Sequence, residues 1–325
     1  MRAVADLRMN KVYRIFSFLT LCIFCVLSTH AQKVSVMTFN IRLDAASDGD
    51  NIWNNRKGAV VDMLNYYQPD LLGMQEVCPN QMDDLKSKLP QYEALGVGRD
   101  DGKHQGEHSP LFYLKSRFKL IKHGDFSLSE TPDVFGVKGW DASYNRVCSW
   151  AILEDKINHK KIAFFNTHLD TDGQIARKEG IRLILKKIDE CAKGLPVIIT
   201  ADYNCSDGEP PFMVLRQNGM KSVRDIAPVK YGPNYSWHDF GRLPFGECPL
   251  LDHVFVNKNV KATRYRVIDD KPEKVYLSDH FPVLVDLNYE PTLKSKACLK
   301  CLYFTKIISA LCCYLEYFSY LYTIN

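Results

Sequence analysis

No internal repeat and no low-complexity linker divides the 325-residue sequence. This absence argues against a chain of repeated units or of modules joined by flexible linkers. With 46% hydrophobic and 25% charged residues, the composition is that of an ordinary globular protein. A chain of this length can form one large domain or two small ones.

The body of the chain has no excess of positive charge. Residues 1–31 and residues 292–325 each contribute +3 of the net +4, which leaves −2 for residues 32–291. A protein that coats duplex nucleic acid usually has a strongly positive total. The charge count therefore gives no support for such a binder, although it is compatible with a local basic groove.

The body also lacks the cysteine content of a disulfide framework. Five of the eleven cysteines lie there, and an odd number argues against complete pairing in a secreted protein. Four more lie in the aromatic tail, residues 292–325, where Cys298 and Cys301 form a CxxC pair without a second spaced pair. Zinc binding and disulfide bridging both stay open for the tail, to which the sequence assigns no role.

The amino-terminal segment has the order of a secretory signal. Four basic residues precede an apolar run from Ile15 to Leu27, and the small residue Ala31 follows. We predict a signal peptide over residues 1–31 and export to the periplasm or the cell exterior. The alternative is an uncleaved membrane anchor, against which the short apolar run argues.

Four apolar runs end abruptly in polar residues, which is typical of buried strands that deliver side chains to one rim. The run that begins at Val197 ends in Asp202, and Asn204 follows two positions later. Because side chains two apart on a strand share a face, these two should point together. The other three runs end at Asn40, Glu76 and His168.

The remaining pattern indicates helices between these strands. Apolar residues recur at helical spacing over residues 54–68 and 173–191, and strand patterns flank both segments. Many strands with interspersed helices, but without unbroken alternation, predict an α/β protein of the α+β kind with mixed sheets in layers.

Eight polar residues could share one site. They are the five at the strand ends and the later Asp252, Asp279 and His280. Two carboxylates about 4 Å apart repel each other by roughly 4 kcal/mol at an effective dielectric near 20. A bound cation removes that cost, and oxygen ligands without thiolates favour Mg²⁺, with Mn²⁺ as the alternative, over zinc. Each residue alone is as readily a helix cap or turn former, so the hypothesis depends on their number.

Six short motifs resemble the ordered motif series of the endonuclease/exonuclease/phosphatase superfamily, which has the deoxyribonuclease I-like fold. They are, in chain order, Thr38-Phe39-Asn40, Gln75-Glu76, Asn166-Thr167-His168-Leu169, Ala201-Asp202-Tyr203-Asn204, Leu251-Asp252-His253 and Ser278-Asp279-His280. The resemblance implies a four-layer α-β-β-α sandwich with two central mixed sheets, formed by residues 32–291. We expect a monomer without an obligate protein partner.

The resemblance implies a metal-dependent hydrolase of phosphoesters. Glu76 would be the main metal ligand with Asn40 and Asp279 beside it, and Asp202 would deprotonate the attacking water. The family usually has glycine where this chain has Ala201, a change that should be tolerated unless φ there is positive.

The other motif residues would act on the phosphoryl group. Asn204 would hold a phosphoryl oxygen, Asp252 would orient His280, and His280 with His168 would stabilise charge on the phosphoryl oxygens or the leaving group. Arg146, which opens a strand, resembles the family arginine that contacts phosphate. The alternative for Arg146 is a structural surface arginine.

The substrate is open within this class. Two segments, Gly98–Gly102 and Ser109–Tyr113, resemble the nocturnin and deadenylase branch and favour RNA or a nucleotide, cleaved as by a 3′-5′ exonuclease, with Trp237 stacking on bases. A sphingomyelin-type or inositol-phosphate substrate is the runner-up, and a non-catalytic binding module on the same fold is the alternative from another class. A few cations are predicted to contact phosphate: Arg99, Lys103 and Arg146.

Overall fold

The computed structural model describes residues 33–272 and 275–289, which form thirteen strands and five α-helices. The strands are β1 (Lys33–Asn40), β2 (Leu71–Gln75), β3 (Tyr92–Leu95), β4 (Leu111–Leu114), β5 (Phe118–Ser127), β6 (Val147–Asp155), β7 (Lys161–His168), β8 (Val197–Asp202), β9 (Lys221–Ser222), β10 (Val229–Tyr231), β11 (Asp252–Val256), β12 (Val260–Val267) and β13 (Val283–Tyr289). The helices are α1 (Trp53–Tyr67), α2 (Pro79–Lys88), α3 (Gln174–Cys191), α4 (Pro210–Gln217) and α5 (Val223–Ile226).

Both ends of the chain lie outside this description. The predicted signal peptide, residues 1–31, and the predicted tail, residues 292–325, therefore stay predictions. Within the part that is described, no helix combines the length and the apolar character needed to cross a membrane.

The strands form two mixed sheets. The seven-stranded sheet has the order β10-β12-β13-β1-β2-β4-β3, and the six-stranded sheet has the order β5-β6-β7-β8-β11-β9. Parallel pairing joins β1 to β2 and β7 to β8, whereas β1 with β13 and β8 with β11 are antiparallel. The predicted four-layer sandwich is confirmed. Three short strands, β3, β9 and β10, were not predicted.

Alternation along each strand divides the core into three layers. In β1, Val36 faces the other sheet and packs with Phe164 and Ile198, whereas its neighbour Met37 packs on the helix side with Leu64 of α1. Successive side chains on a strand point to opposite faces, and here both faces are covered. Helices α1 and α2 cover the seven-stranded sheet, and α3 and α4 cover the six-stranded sheet.

This topology brings the polar strand ends to one edge of the sandwich. Parallel β1 and β2 finish at Asn40 and Gln75, and parallel β7 and β8 finish side by side at His168 and Asp202. Strand β11 runs in the opposite direction and begins at Asp252, directly across from Asp202. The ends of two parallel pairs and the start of an antiparallel neighbour therefore meet at the same rim.

A glycine in β2 allows the two sheets to approach closely under this rim. A Cβ atom at Gly73 would overlap Thr200 Oγ1 and would lie 2.5 Å from Asn166 Oδ1. That oxygen accepts hydrogen bonds from Thr200 Oγ1 at 2.9 Å and Gln75 Nε2 at 2.7 Å. Asn166 Nδ2 donates to the backbone oxygen of Met74 at 2.7 Å. The amide of Asn166, although it lies in a motif, therefore ties the sheets together.

Replacing this glycine should strain the contact between the sheets. We expect Gly73→Ala to lower the free energy of unfolding by about 2–3 kcal/mol, because a buried polar network cannot move aside without losing hydrogen bonds. Gly58→Ala is the matched control, since nothing lies within 4 Å of its Cβ position on α1. Alanine is the better helix former, so the control should be neutral or up to about 1 kcal/mol stabilising. Urea unfolding measures both, and equal stability of Gly73→Ala and the wild type would contradict the close approach.

Candidate active site

The polar strand ends line one cavity of about 430 Å³. Eight of the ten residues predicted for the site line it: Glu76, Arg146, His168, Asp202, Asn204, Trp237, Asp279 and His280. The other two, Asn40 and Asp252, are fully buried directly behind this lining. The structure thus brings the whole predicted set together, while the chemical role of each residue stays a prediction.

The amide of Asn40 joins two carboxylates of the cavity. Its Nδ2 donates to Glu76 Oε1 and to Asp202 Oδ2, both at 2.9 Å. Its Oδ1 accepts the backbone N–H of Arg42 at 3.0 Å, and Glu76 Oε2 accepts that of Leu43 at 3.0 Å. Asn40 therefore orients both carboxylates, and its oxygen keeps one lone pair for the predicted metal contact.

Four cavity residues have a left-handed backbone conformation. The φ angles are 59° at Arg42, 60° at Glu76, 47° at Asn204 and 48° at Asp239. Non-glycine residues in this region cost of order 1–3 kcal/mol each and persist only where the surrounding structure holds them. Ala201 lies within β8 and is not among the residues with positive φ, so the side chain that replaces the family glycine is accommodated.

A buried imidazole lies between two carboxylates. His280 Nδ1 is 2.7 Å from Asp252 Oδ2, and its Nε2 is 3.7 Å from Asp202 Oδ2. Burial favours the neutral imidazole, but Asp252 and Asp202 outweigh it and raise the pKa of His280 to about 10. Burial, together with the charge of Asp252, raises the pKa of Asp202 to about 6. At neutral pH the pair is therefore an imidazolium next to an ionised carboxylate that can accept a proton.

The second imidazole, His168, has the opposite character. Burial and the charges of Arg146 and Arg99 lower the pKa of His168 well below its usual range, so it is neutral at physiological pH. Its Nε2 lies 2.7 Å from Asn204 Nδ2, which also donates to the backbone oxygen of Leu169 at 3.0 Å. The predicted contact of Asn204 with a phosphoryl oxygen would require the bond to His168 to be given up. Of the two histidines, only His280 can supply positive charge.

Arg42 lines the cavity and was not predicted from the sequence. Two of its nitrogens donate to the carboxylate of Asp48, each at 2.9 Å. The third, Nη1, lies 3.9 Å from Glu76 Oε2 and 4.0 Å from Asp279 Oδ2. Its place two residues after Asn40, just beyond the end of β1, was the only sequence signal.

The carboxylate oxygens near Arg42 are suitable ligands for a hard divalent cation. Glu76 and Asp279 turn carboxylate oxygens toward the same guanidinium nitrogen, and burial together with the charge of Glu76 raises the pKa of Asp279. Ligand atoms of Glu76, His168 and Asp202 also lie within 4.8 Å of one another. Mg²⁺ and Mn²⁺ bind carboxylate oxygens, especially where buried carboxylates outnumber the positive charges nearby. Glu76 and Asp279 are the residues that would hold such an ion.

Arg146 is buried, which excludes the surface alternative. Its side chain is 5% exposed, its Nη2 donates to Thr171 Oγ1 at 3.1 Å, and its Nε lies 3.5 Å from Asp170 Oδ2. Its Nη1 is buried without a partner among the described residues. A buried N–H group without an acceptor is costly, so this atom fits an anionic ligand in the cavity.

Asp170 holds the loop that carries Arg146. Its Oδ1 accepts the backbone N–H groups of Ser143 at 3.0 Å and Gly173 at 2.8 Å, and its Oδ2 accepts that of Tyr144 at 3.0 Å. These bonds outweigh burial and lower the pKa of Asp170. A single carboxylate therefore fixes the loop at Tyr144 to the start of α3, a role that the sequence did not reveal.

Arg56 connects three segments behind the cavity. It is fully buried, and its Nη1 donates to the backbone oxygens of Ile41 and Leu277, both at 2.8 Å. Its Nη2 donates to the backbone oxygen of Arg42 at 3.3 Å, and its Cζ lies 5.7 Å from the ring centre of Phe240. Burial lowers its pKa to about 10. Arg56 thus positions the exit of β1, the turn before Asp279 and the loop after Trp237.

Comparison with known proteins identifies the family. The model of the Endonuclease/Exonuclease/phosphatase family matches residues 37–280. The chain belongs to this family. Its members are hydrolases of phosphoesters, and the predicted family resemblance is confirmed.

Three relatives describe the range of similarity. An endonuclease/exonuclease/phosphatase from Bacteroides vulgatus is 39% identical, with a TM-score of 0.78, and the match covers 80% of this chain and 100% of that chain. The mannosyl-6-phosphatase of Bacteroides thetaiotaomicron is 35% identical, with a TM-score of 0.75, over 79% of this chain and 100% of that one. Nocturnin from Homo sapiens is 25% identical over 303 residues, which are 81% of this chain and 66% of nocturnin.

The role of Arg56 can be tested by its effect on metal binding. We expect Arg56→Lys to weaken Mn²⁺ binding by about tenfold or more. Lysine keeps the charge, but its three N–H groups cannot reproduce the hydrogen bonds of the planar guanidinium to four backbone carbonyl oxygens. Titration of Mn²⁺ into the protein without substrate, monitored by calorimetry, gives the affinity directly.

The matched control for this variant is Arg117→Lys. Arg117 donates to Asp70 at 2.7 Å and to Asp155 at 3.2 Å, at the other edge of the sheets. Arg117→Lys should lose stability without changing Mn²⁺ affinity. Equal Mn²⁺ affinity in Arg56→Lys and the wild type would contradict the positioning role.

Proposed function

We propose that the protein is a divalent-metal-dependent phosphoesterase that releases phosphate from a small, polar phosphomonoester. The observation that supports this proposal best is that Nη1 of Arg146, beside a cavity of about 430 Å³, has no hydrogen-bond partner among the residues that the structure describes. Export, predicted from the amino-terminal pattern, is part of the proposal.

One of the guanidinium groups that line the cavity is available to bind phosphate, and the others are paired with carboxylates. Three arginines line it, but Arg42 is paired with Asp48, and Arg99 is paired with Glu107 at 2.7 and 2.9 Å. Only Arg146 has a single, long contact to a carboxylate, at 3.5 Å. Lys103, for which a phosphate contact was predicted, is not among the residues that line the cavity.

This charge distribution favours a substrate with one phosphoryl group. A strand of nucleic acid gains affinity from several cations along its backbone. Here two of the three guanidinium charges are already neutralised by carboxylates. The mannosyl-6-phosphatase among the relatives, which is 35% identical, is named for a small phosphomonoester of this kind.

The cavity residues can divide the work of hydrolysis. Water attacks phosphorus while Asp202, held by Asn40 Nδ2 and by the backbone N–H of Asn204 at 2.9 Å, takes its proton. The phosphorus–oxygen ester bond breaks, and the imidazolium of His280 stabilises or protonates the departing oxygen, which gives inorganic phosphate and an alcohol. A bound cation would offset charge on the phosphoryl oxygens.

The second candidate is nucleotide-directed hydrolysis, including 3′-5′ cleavage of RNA. Trp237 lines the cavity and is only partly buried, and an aromatic ring at that place can stack on a base. The similarity to nocturnin is consistent with this choice.

A panel of phosphoesters tests these candidates. The purified protein is assayed with a hexose 6-phosphate, a nucleoside monophosphate, short single-stranded RNA, sphingomyelin and an inositol phosphate, in Mg²⁺ and in excess chelator. We expect the hexose phosphate to be hydrolysed fastest and all activity to disappear in chelator and return with Mg²⁺. Faster cleavage of RNA would favour the second candidate, and full activity in chelator would contradict the metal-dependent mechanism.

The base is tested by Asp202→Asn. Turnover should fall by about 10² or more, whereas the melting temperature should be unchanged or higher, because the substitution removes a buried charge next to Asp252. Asp125→Asn is the matched control, since burial also raises the pKa of Asp125 but the residue does not line the cavity. Near-normal turnover in Asp202→Asn would exclude it as the base.

A further inference from the structure

Part of the cavity lining comes from loops rather than from the polar strand ends. We propose that Arg99, Glu107 and Tyr144 form a subsite that binds the uncharged hydroxyl groups of the substrate, so that the protein prefers phosphomonoesters of sugars or polyols. This inference rests on the proposed function and adds the part of the cavity that selects the alcohol. Arg146, which neighbours this subsite, would bind the phosphate.

Arg99 and Glu107 form a neutral pair that keeps hydrogen-bonding capacity. Arg99 Nη1 donates to Glu107 Oε2 at 2.9 Å, and Arg99 Nη2 lies 2.7 Å from Oε1, with the side chains 14% and 16% exposed. Each carboxylate oxygen retains a lone pair, and the guanidinium has five N–H groups. One hydroxyl group can therefore donate to the carboxylate and accept from the guanidinium. Such bonds are worth more in a partly buried site than in water.

Tyr144 supplies apolar surface next to this pair. Its ring centre lies 5.4 Å from the Cζ of Arg99 and 5.3 Å from the Cζ of Arg146. The residue is 48% exposed and lines the cavity. Tyr144 thus stands between the proposed phosphate contact and the hydroxyl contacts, where the C–H groups of a sugar ring can pack on it.

The loop that carries Arg99 and Glu107 is organised before any substrate binds. Asp101 Oδ1 accepts the backbone N–H of Lys103 at 2.7 Å, and Asp100 Oδ1 accepts Asn145 Nδ2 at 2.8 Å, which links this loop to that of Tyr144. Gly106 has a φ of 80°, and a side chain there would overlap the carboxylate of Asp100. A preorganised site loses less conformational entropy on binding, so these bonds support a built recognition surface.

The charges of the subsite argue against a second phosphate as its ligand. A second phosphate would meet the neutralised Arg99 and the negative charge of Glu107. Burial and, after it, the charge of Glu76 raise the pKa of Glu107, so a further negative charge is disfavoured there.

The test compares a phosphomonoester with hydroxyl groups and one without them. KM is measured for a hexose 6-phosphate and for p-nitrophenyl phosphate in the wild type, Glu107→Gln and Tyr144→Ala. In Glu107→Gln the ratio of the hexose KM to the aryl KM should rise by about tenfold, the effect of roughly one lost hydrogen bond to a charged group. In Tyr144→Ala the ratio should also rise, because the sugar ring loses its packing surface. Lys103→Ala, in the same loop but outside the cavity lining, is the control and should leave the ratio unchanged. If Glu107→Gln does not fold, Tyr144→Ala still tests the subsite, because a substitution at this half-exposed position should not disturb folding.

Direct binding separates this inference from the proposed function. Ligand-observed NMR with the unphosphorylated hexose should detect binding to the wild type and at least about tenfold weaker binding to Glu107→Gln. If the wild type hydrolyses neither phosphate, the proposed function fails, and hexose binding still decides the subsite. An unchanged KM ratio in both variants, absent hexose binding, or a preference for a nucleoside monophosphate or a bisphosphate would overturn the subsite.

Discussion

The crowding of buried carboxylates where the two sheets end is the constraint on which the rest of the site depends. Glu76, Asp202, Asp252 and Asp279 converge there, and burial raises the pKa values of Asp202 and Asp279. Such an arrangement is unfavourable unless positive charge is close. The imidazolium of His280 supplies part of it from within the chain. The remaining deficit of positive charge is what the proposed divalent cation would supply.

Several structural features exist to hold this unfavourable arrangement in place. Asn40 spaces Glu76 and Asp202 with one amide nitrogen, and the close contact at Gly73 brings the sheets near enough for their ends to share a cavity. The left-handed backbone at Glu76 adds further cost at the same rim. Natural proteins tolerate such strain at functional sites because the remaining core, here three packed layers, supplies the stability.

The sequence predicted more of the site than of its support. Strand ends such as His168 and Asp202 could be found because an apolar run that stops abruptly marks where a strand delivers polar residues to a rim. The two-residue period does not account for Asn204, which lies beyond β8 with a left-handed backbone. The two packed sheets followed from the family resemblance and not from periodicity, since strands buried on both faces lose the alternation that marks a face. Arg56 could not be found, because its partner Leu277 is 221 residues away and offers only a backbone oxygen, which no sequence pattern encodes.

The central claim is that these carboxylates are retained at a cost to stability because they bind a cation, and one comparison of melting temperatures tests it. The wild type and Glu76→Gln are melted in chelator and again in saturating Mg²⁺. We predict that Glu76→Gln is at least as stable as the wild type in chelator, because it carries one carboxylate fewer at the rim. In Mg²⁺ the order should reverse, since a ligand at about 100 times its dissociation constant stabilises by about 2.7 kcal/mol only the protein that binds it. The same order of stability in both conditions would contradict the account.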